Sequence, residues 1–155
     1  MAITVSQYDH TNKLLLNKEV DFTTLKVMLL DNTASFTRTH TTVDSVAGAG
    51  PTRAKELYGN GWAQGGELIG SVVVTQETLG GDSINNDAKL TGADLVKTAS
   101  GGPLPPTAAY YELIYDDTSD KPLWLVSYGQ AQQAGDTTDF KSRWNSTGGI
   151  YNIQS

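Results

Sequence analysis

The chain reads as mainly β, a β-sandwich or jelly roll with a short N-terminal helix and one long loop. Three observations predict this. Ala108–Gly129, AAYYELIYDDTSDKPLWLVSYG, holds two apolar runs of period two about a polar turn, which is the pattern of a β-hairpin. Further short runs rich in Val, Ile, Tyr and Phe follow at close spacing, with Gly, Pro, Asn and Asp between them, as in all-β sandwiches and barrels. Finally, 155 residues, 38% of them hydrophobic, suit one domain (1–155) with a real core.

Taken in order, residues 6–19, SQYDHTNKLLLNKE, are the best helix candidate. Ser6 or Asp9 would cap it, and Leu14–Leu16 would face the core. Phe22–Leu30 reads as a buried strand that ends at Asp31-Asn32. From Asp31 to about Leu68 the pattern is lost among Thr, Gly, Asn and Ser. A loop of that length is unusual inside a compact domain. It either contains short elements, such as a helical turn at Thr52–Leu57, or is an extended arm that orders against a partner. Gly59-Asn60-Gly61 and Gly65-Gly66 mark sharp turns on either side of Trp62.

Leu68–Thr78 follows as a strong strand through Val72, Val73 and Val74, and Gly80-Gly81-Asp82 turns the chain. Ile84–Leu90 and Ala93–Thr98 are weaker strands. The segment 100–106, SGGPLPP, reads as a loop that cannot sustain a ladder. In the hairpin, Tyr111, Leu113 and Tyr115 alternate on one face of the first run. Leu123 and Leu125 share one face of the second run, with Trp124, Val126 and Tyr128 on the other. Both faces carry large apolar groups, so both need cover. Thr138–Trp144, a turn at Asn145–Gly149 and a strand at Ile150–Ile153 complete the chain. No internal repeat is present.

Charge and chemistry narrow the function. Eleven Lys and Arg stand against 17 Asp and Glu, a net of −6, and the basic residues are scattered. A phosphate-tracking surface is therefore not expected, because nucleic-acid binders cluster their cations. With no cysteine, disulfides, thiolate metal sites and Cys nucleophiles are excluded. MAITVSQYDH lacks the layout of a secretory signal, and no apolar run is long enough to span a bilayer. His10 and His40 have no spaced partner of the kind catalysis or metal binding needs. The turn Asp116-Asp117-Thr118-Ser119-Asp120 fails as an EF-hand, since Lys121 and Ser127 stand where Gly and Glu are required. The glycines around Trp62 fit neither a Walker loop nor a dinucleotide fingerprint. Asn145-Ser146-Thr147 is a glycosylation sequon with no secretory context. No Ser/His/Asp or paired-carboxylate arrangement can be defended. No catalytic, metal or cofactor-binding residue is expected, and no enzyme.

One resemblance extends over nearly the whole chain. Its residues, in order, are a short N-terminal helix leading into Phe22–Leu30, which ends Lys26-Val27-Met28-Leu29-Leu30, then Ser35-Phe36-Thr37-Arg38-Thr39-His40 and Val43-Asp44-Ser45-Val46. Gly61-Trp62-Ala63-Gln64-Gly65-Gly66 comes next, with Trp where Tyr is the more frequent residue, and then Asp87-Ala88. Ala109-Tyr110-Tyr111-Glu112-Leu113-Ile114-Tyr115-Asp116-Asp117, Lys121-Pro122-Leu123, Phe140, Trp144 and Gly149-Ile150 complete it. In these features the chain resembles a family of small virion structural proteins of tailed bacteriophages, some of which are jelly-roll cement or decoration proteins. The resemblance implies a non-enzymatic protein on the capsid surface, made in the host bacterial cytoplasm. Its implied partners are the major capsid protein and further copies of itself, as a dimer or trimer, with no nucleic acid and no membrane. Two alternatives stand beside it: a tail-associated tube, terminator or fibre component, and a carbohydrate-binding jelly roll using exposed aromatics. The loop 31–68 and the chain termini are the candidate clamps, and the aromatic residues Phe36, His40, Tyr58, Trp62, Trp124 and Tyr128 supply the candidate interface.

Overall fold

The computed structural model describes residues 3–43, 53–77, 87–144 and 151–153. The expected turns at Gly80–Asp82 and Asn145–Gly149, with the sequon, lie outside them, as do 44–46 of the motif at Val43.

The fold is mainly β and antiparallel throughout. The hairpin is its spine. Strands β8 (Leu104–Asp116) and β9 (Lys121–Ala134) run further than the alternation alone marked out. They pair from Asp116↔Lys121 to Leu104↔Ala134. Around them a six-stranded sheet is ordered β1-β9-β8-β2-β3, with β4 also on β2. Here β1 is Thr4–Gln7, β2 Leu25–Leu30, β3 Glu56–Leu57 and β4 Glu67–Leu68. Two smaller sheets lie beside it. One pairs β7 (Leu95–Thr98) with β10 (Asp139–Ser142), and the other is ordered β11-β6-β5 from Tyr151–Ile153, Asp87–Thr91 and Val73–Glu77.

Several expectations are corrected. The helix is only Thr11–Leu16 (α1), and the residues before it form β1. The alternating segment Thr4–Gln7 finds an open edge on β9, and ladder pairing outweighs a weak local helix preference. His10, rather than Ser6 or Asp9, takes the N-cap position, without a side-chain cap. Leu14 and Leu15 pack on the core, whereas Leu16 is 79% exposed. Phe22–Thr24 form a 3-10 turn ahead of β2, closed by Asp21 accepting from the Thr23 N–H. The strand expected over Leu68–Thr78 is broken at Gly70-Ser71, where Ser71 has φ +53°. Its two ends join different sheets, β4 and β5. Within 100–106 the ladder does start, at Leu104. Pro105 and Pro106 lie in an irregular stretch between Leu104↔Ala134 and Ala109↔Gln132, where the register shifts and a missing N–H interrupts no regular ladder. The Gln133 amide donates to both of their carbonyls.

The loop 31–68 is not structureless where described. A 3-10 turn at Arg53–Lys55, within the stretch expected to be helical, leads into β3. Asn60-Gly61 then forms a two-residue reversal, with φ +52° and +114°. Gly59 and Trp62 exchange backbone hydrogen bonds of 2.8 and 3.1 Å across it. Two positive φ angles in a tight hairpin select the Asn-Gly pair. At Gly61 a side chain would also meet the Thr98 carbonyl at 2.7 Å.

Both faces of the main sheet are covered from within the chain. On one, Leu25, Val27, Leu29, Ile114 and Trp124 pack with Trp62, Ile69, Leu90, Leu95 and Phe140. On the other, Met28, Leu30, Leu113, Tyr115 and Leu125 pack with Tyr8, Ala34 and Val43, which come from β1's end and the loop after β2. The facing of β9 departs from simple alternation. Tyr115 opposes Pro122 and Ile114 opposes Trp124, so Leu123 is a bulged, surplus residue. Leu123 joins Trp124 in the first core instead of sharing a face with Leu125.

Candidate interaction surface

The six aromatic candidates fall into three environments. Phe36 and His40 close over the second core. The Tyr8 ring meets Phe36 at 4.9 Å and stacks on His40 at 6.2 Å, and His40 is 6% exposed. Trp62 and Trp124 belong to the first core, at 2% and 1% exposed. Trp62 meets Phe140 edge-on at 5.6 Å, while the Trp124 indole donates to the Gln7 side chain at 3.3 Å. Tyr128 is half-buried, and its hydroxyl is shut away from solvent. Tyr58 alone of the six is exposed. The structure therefore does not gather the six on one outer face. An aromatic residue is equally suited to a core and to an interface, so residue type did not separate the two.

The acidic turn is a structural clamp. The buried Asp116 carboxylate accepts from Thr24 Oγ1 at 2.9 Å, the Thr118 N–H at 3.0 Å, Ser119 Oγ at 2.8 Å and the Asp21 N–H at 3.3 Å. Asp117 pairs with Lys26 at 2.7 Å, and Asp120 pairs with Arg53 at 2.7 Å. Partial burial works against ionisation of Asp117, but Lys26 and the Tyr115 hydroxyl outweigh it and hold this carboxyl below its ordinary value. The Arg53 guanidinium also sits 5.5 Å from the centre of the Tyr115 ring. Burial pushes the Tyr115 hydroxyl up to about 12. Each of the three carboxylates is thus engaged by donors from the chain itself. Among the described residues, no three His, Asp or Glu are grouped as metal ligands, and no helix is long and apolar enough to cross a membrane.

Beneath the first face lies a second polar feature. Glu112 is 3% exposed, and burial pushes its carboxyl above the ordinary value, against the pull of the adjacent Tyr128 and Ser142 hydroxyls. Burial and the neighbouring Glu112 likewise push the Tyr128 hydroxyl up. Neither hydroxyl reaches normal hydrogen-bond geometry at Glu112 Oε1. Above them is a cleft of about 340 Å³ whose lining includes Tyr128, Gln130, Gln132, Phe140 and Lys141.

Outward-facing apolar groups lie outside the six aromatic candidates, some of them at the N-terminus and at the end of the loop 31–68. Ile3 and Val5 on β1 are 66% and 59% exposed, and Leu68, Val73, Val74 and Val96 lie between 48% and 54%. The last four belong to neighbouring strands. The Glu67–Lys97 ion pair (2.7 Å) and the Ala93 N–H on the Gly70 carbonyl (2.8 Å) hold those segments together. Their signal was present in Val72-Val73-Val74, since consecutive strand residues point to opposite faces and cannot all enter one core. Comparison with family models, with curated proteins and with solved structures returned no match.

Proposed function

We propose that this protein is a non-enzymatic structural component of a tailed-bacteriophage virion, a cement or decoration protein bound to the outside of the head shell. The reading takes the β architecture as a sandwich of the jelly-roll kind and takes the major capsid protein and other copies of this chain as partners. The ordered motifs from Lys26 to Ile150 suggest it. The observation that carries it is the division of the apolar surface. The long hairpin is covered on both faces, while Leu68, Val73, Val74, Val96 and Tyr58 stay exposed on short peripheral segments. A rim of this kind lays modest apolar contacts on a large partner. Repetition over a lattice raises their effective concentration, so no single contact has to be strong. The net charge of −6 suits the outer side of the shell, away from DNA.

The test is protein quantification and cryo-electron microscopy of purified particles. Hundreds of copies on the shell, reduced by Leu68→Asp with Val74→Asp in a chain that still folds, are the expected result. Absence from the particle, or a ring of about six to twelve copies at the tail, would overturn the assignment.

A further inference from the structure

We infer that two copies of this chain pair through the free edge of β1, antiparallel and about a two-fold axis at Val5, joining their main sheets into one. This deepens the self-association part of the proposed function and does not depend on shell binding. Three observations carry it.

The first is the direction of the backbone groups. The Tyr8 N–H donates to the Leu123 carbonyl at 3.2 Å, continuing the register Thr4↔Ser127, Ser6↔Leu125. In an antiparallel ladder, inward and outward groups alternate. The even residues thus bond to β9, and Ile3, Val5 and Gln7 turn their N–H and C=O groups outward. β1 ends the strand order, and among the described residues no backbone hydrogen bond occupies that edge.

The second is self-complementarity. Opposed residues in an antiparallel pair share a face, and a two-fold normal to the sheet preserves faces, so only residues of equal parity can be paired. Centring on Val5 opposes Val5 to its own copy and Ile3 to the copy's Gln7. All three pairs use outward amides, and the exposed apolar side chains of Ile3 and Val5 line up beside the axis.

The third is charge. In a chain of net −6, the segment Ile3-Thr4-Val5-Ser6-Gln7 carries no charge and no proline. Natural edges are usually guarded by charge, proline or extreme shortness. The opposite edge of this sheet follows that rule, with the two-residue strands Glu56–Leu57 and Glu67–Leu68. The β1 edge does not, so a second copy meets it without like-charge repulsion.

The experiment is light scattering with size-exclusion chromatography on the full chain, over a concentration series. A species of twice the 16.6 kDa chain mass is expected. Val5→Lys sets two ammonium groups at the axis and weakens association by ~100-fold or more. Val5→Pro removes only an outward N–H, so it yields a monomer with an unchanged circular dichroism spectrum. Because the chain has no cysteine, Val5→Cys gives a clean readout: opposed strand residues come within disulfide reach, and an inter-copy disulfide forms where Tyr58→Cys forms none. A wild-type monomer at all concentrations, a dimer unaffected by Val5→Lys, or a Val5→Cys chain that does not cross-link would each overturn the inference.

Discussion

At the scale of single residues, Glu112 is the most consequential polar group. It sits on the core-facing side of β8, where burial favours the neutral acid. The unfolded chain releases this proton near 4.5, and the folded chain releases it at higher pH. Across that window the folded state binds more protons, so this group's contribution to stability falls as pH rises and is level above its folded value. Glu112→Gln keeps the shape without the ionisation. Thermal denaturation should show the variant more stable than wild type at pH 8, by about 1 kcal/mol or more. The gain should vanish at pH 4, and a gain independent of pH would contradict the assignment. Sequence reading could not find this residue. A lone Glu within Tyr-Tyr-Glu-Leu-Ile-Tyr looks like the solvent side of an alternating strand, and only the packing of distant segments such as Phe140 and Ser142 over that face buries it.

At the scale of elements, legibility followed the strength of the local pattern. The hairpin was readable because alternation and turn chemistry agree over more than 20 residues of sequence. β1 was hidden because Ser6–Glu19 has enough Leu and Asn to pass for a capped helix, and the edge of β9 that claims Thr4–Gln7 is distant in sequence. The break at Gly70-Ser71 was visible as a glycine, yet the valines after it masked its effect. Among the interface candidates, a sequence reports that an aromatic is large but not which way its strand turns. The loop 31–68 is tied to the hairpin through Arg53, by its ion pair with Asp120 and its place over Tyr115. Both contacts are partly exposed, so Arg53→Ala should cost only about 1 kcal/mol in global stability. Hydrogen exchange should register more, with faster exchange confined to residues 53–57 and the 117–120 turn. Uniform loss of protection over the whole sheet would show that the tie is not local.

At the scale of the molecule, the main sheet is shared by two apolar clusters, so neither can be lost without exposing the other. Val27→Ala in the first and Leu113→Ala in the second should each lower stability by ~2–4 kcal/mol and leave a single cooperative urea transition. Two separable transitions in either variant would mean that the clusters unfold independently. The surplus residue Leu123 also has a consequence in time. Its carbonyl receives the Tyr8 N–H and the Thr11 hydroxyl, the latter across 112 positions of chain. During synthesis the first strand and α1 therefore have no place to dock until residue 123 has been made. At ~5–20 residues per second that wait is roughly 6–22 s. For that interval the uncharged N-terminal strand hangs from the ribosome beside the same strand on the chains ahead of and behind it.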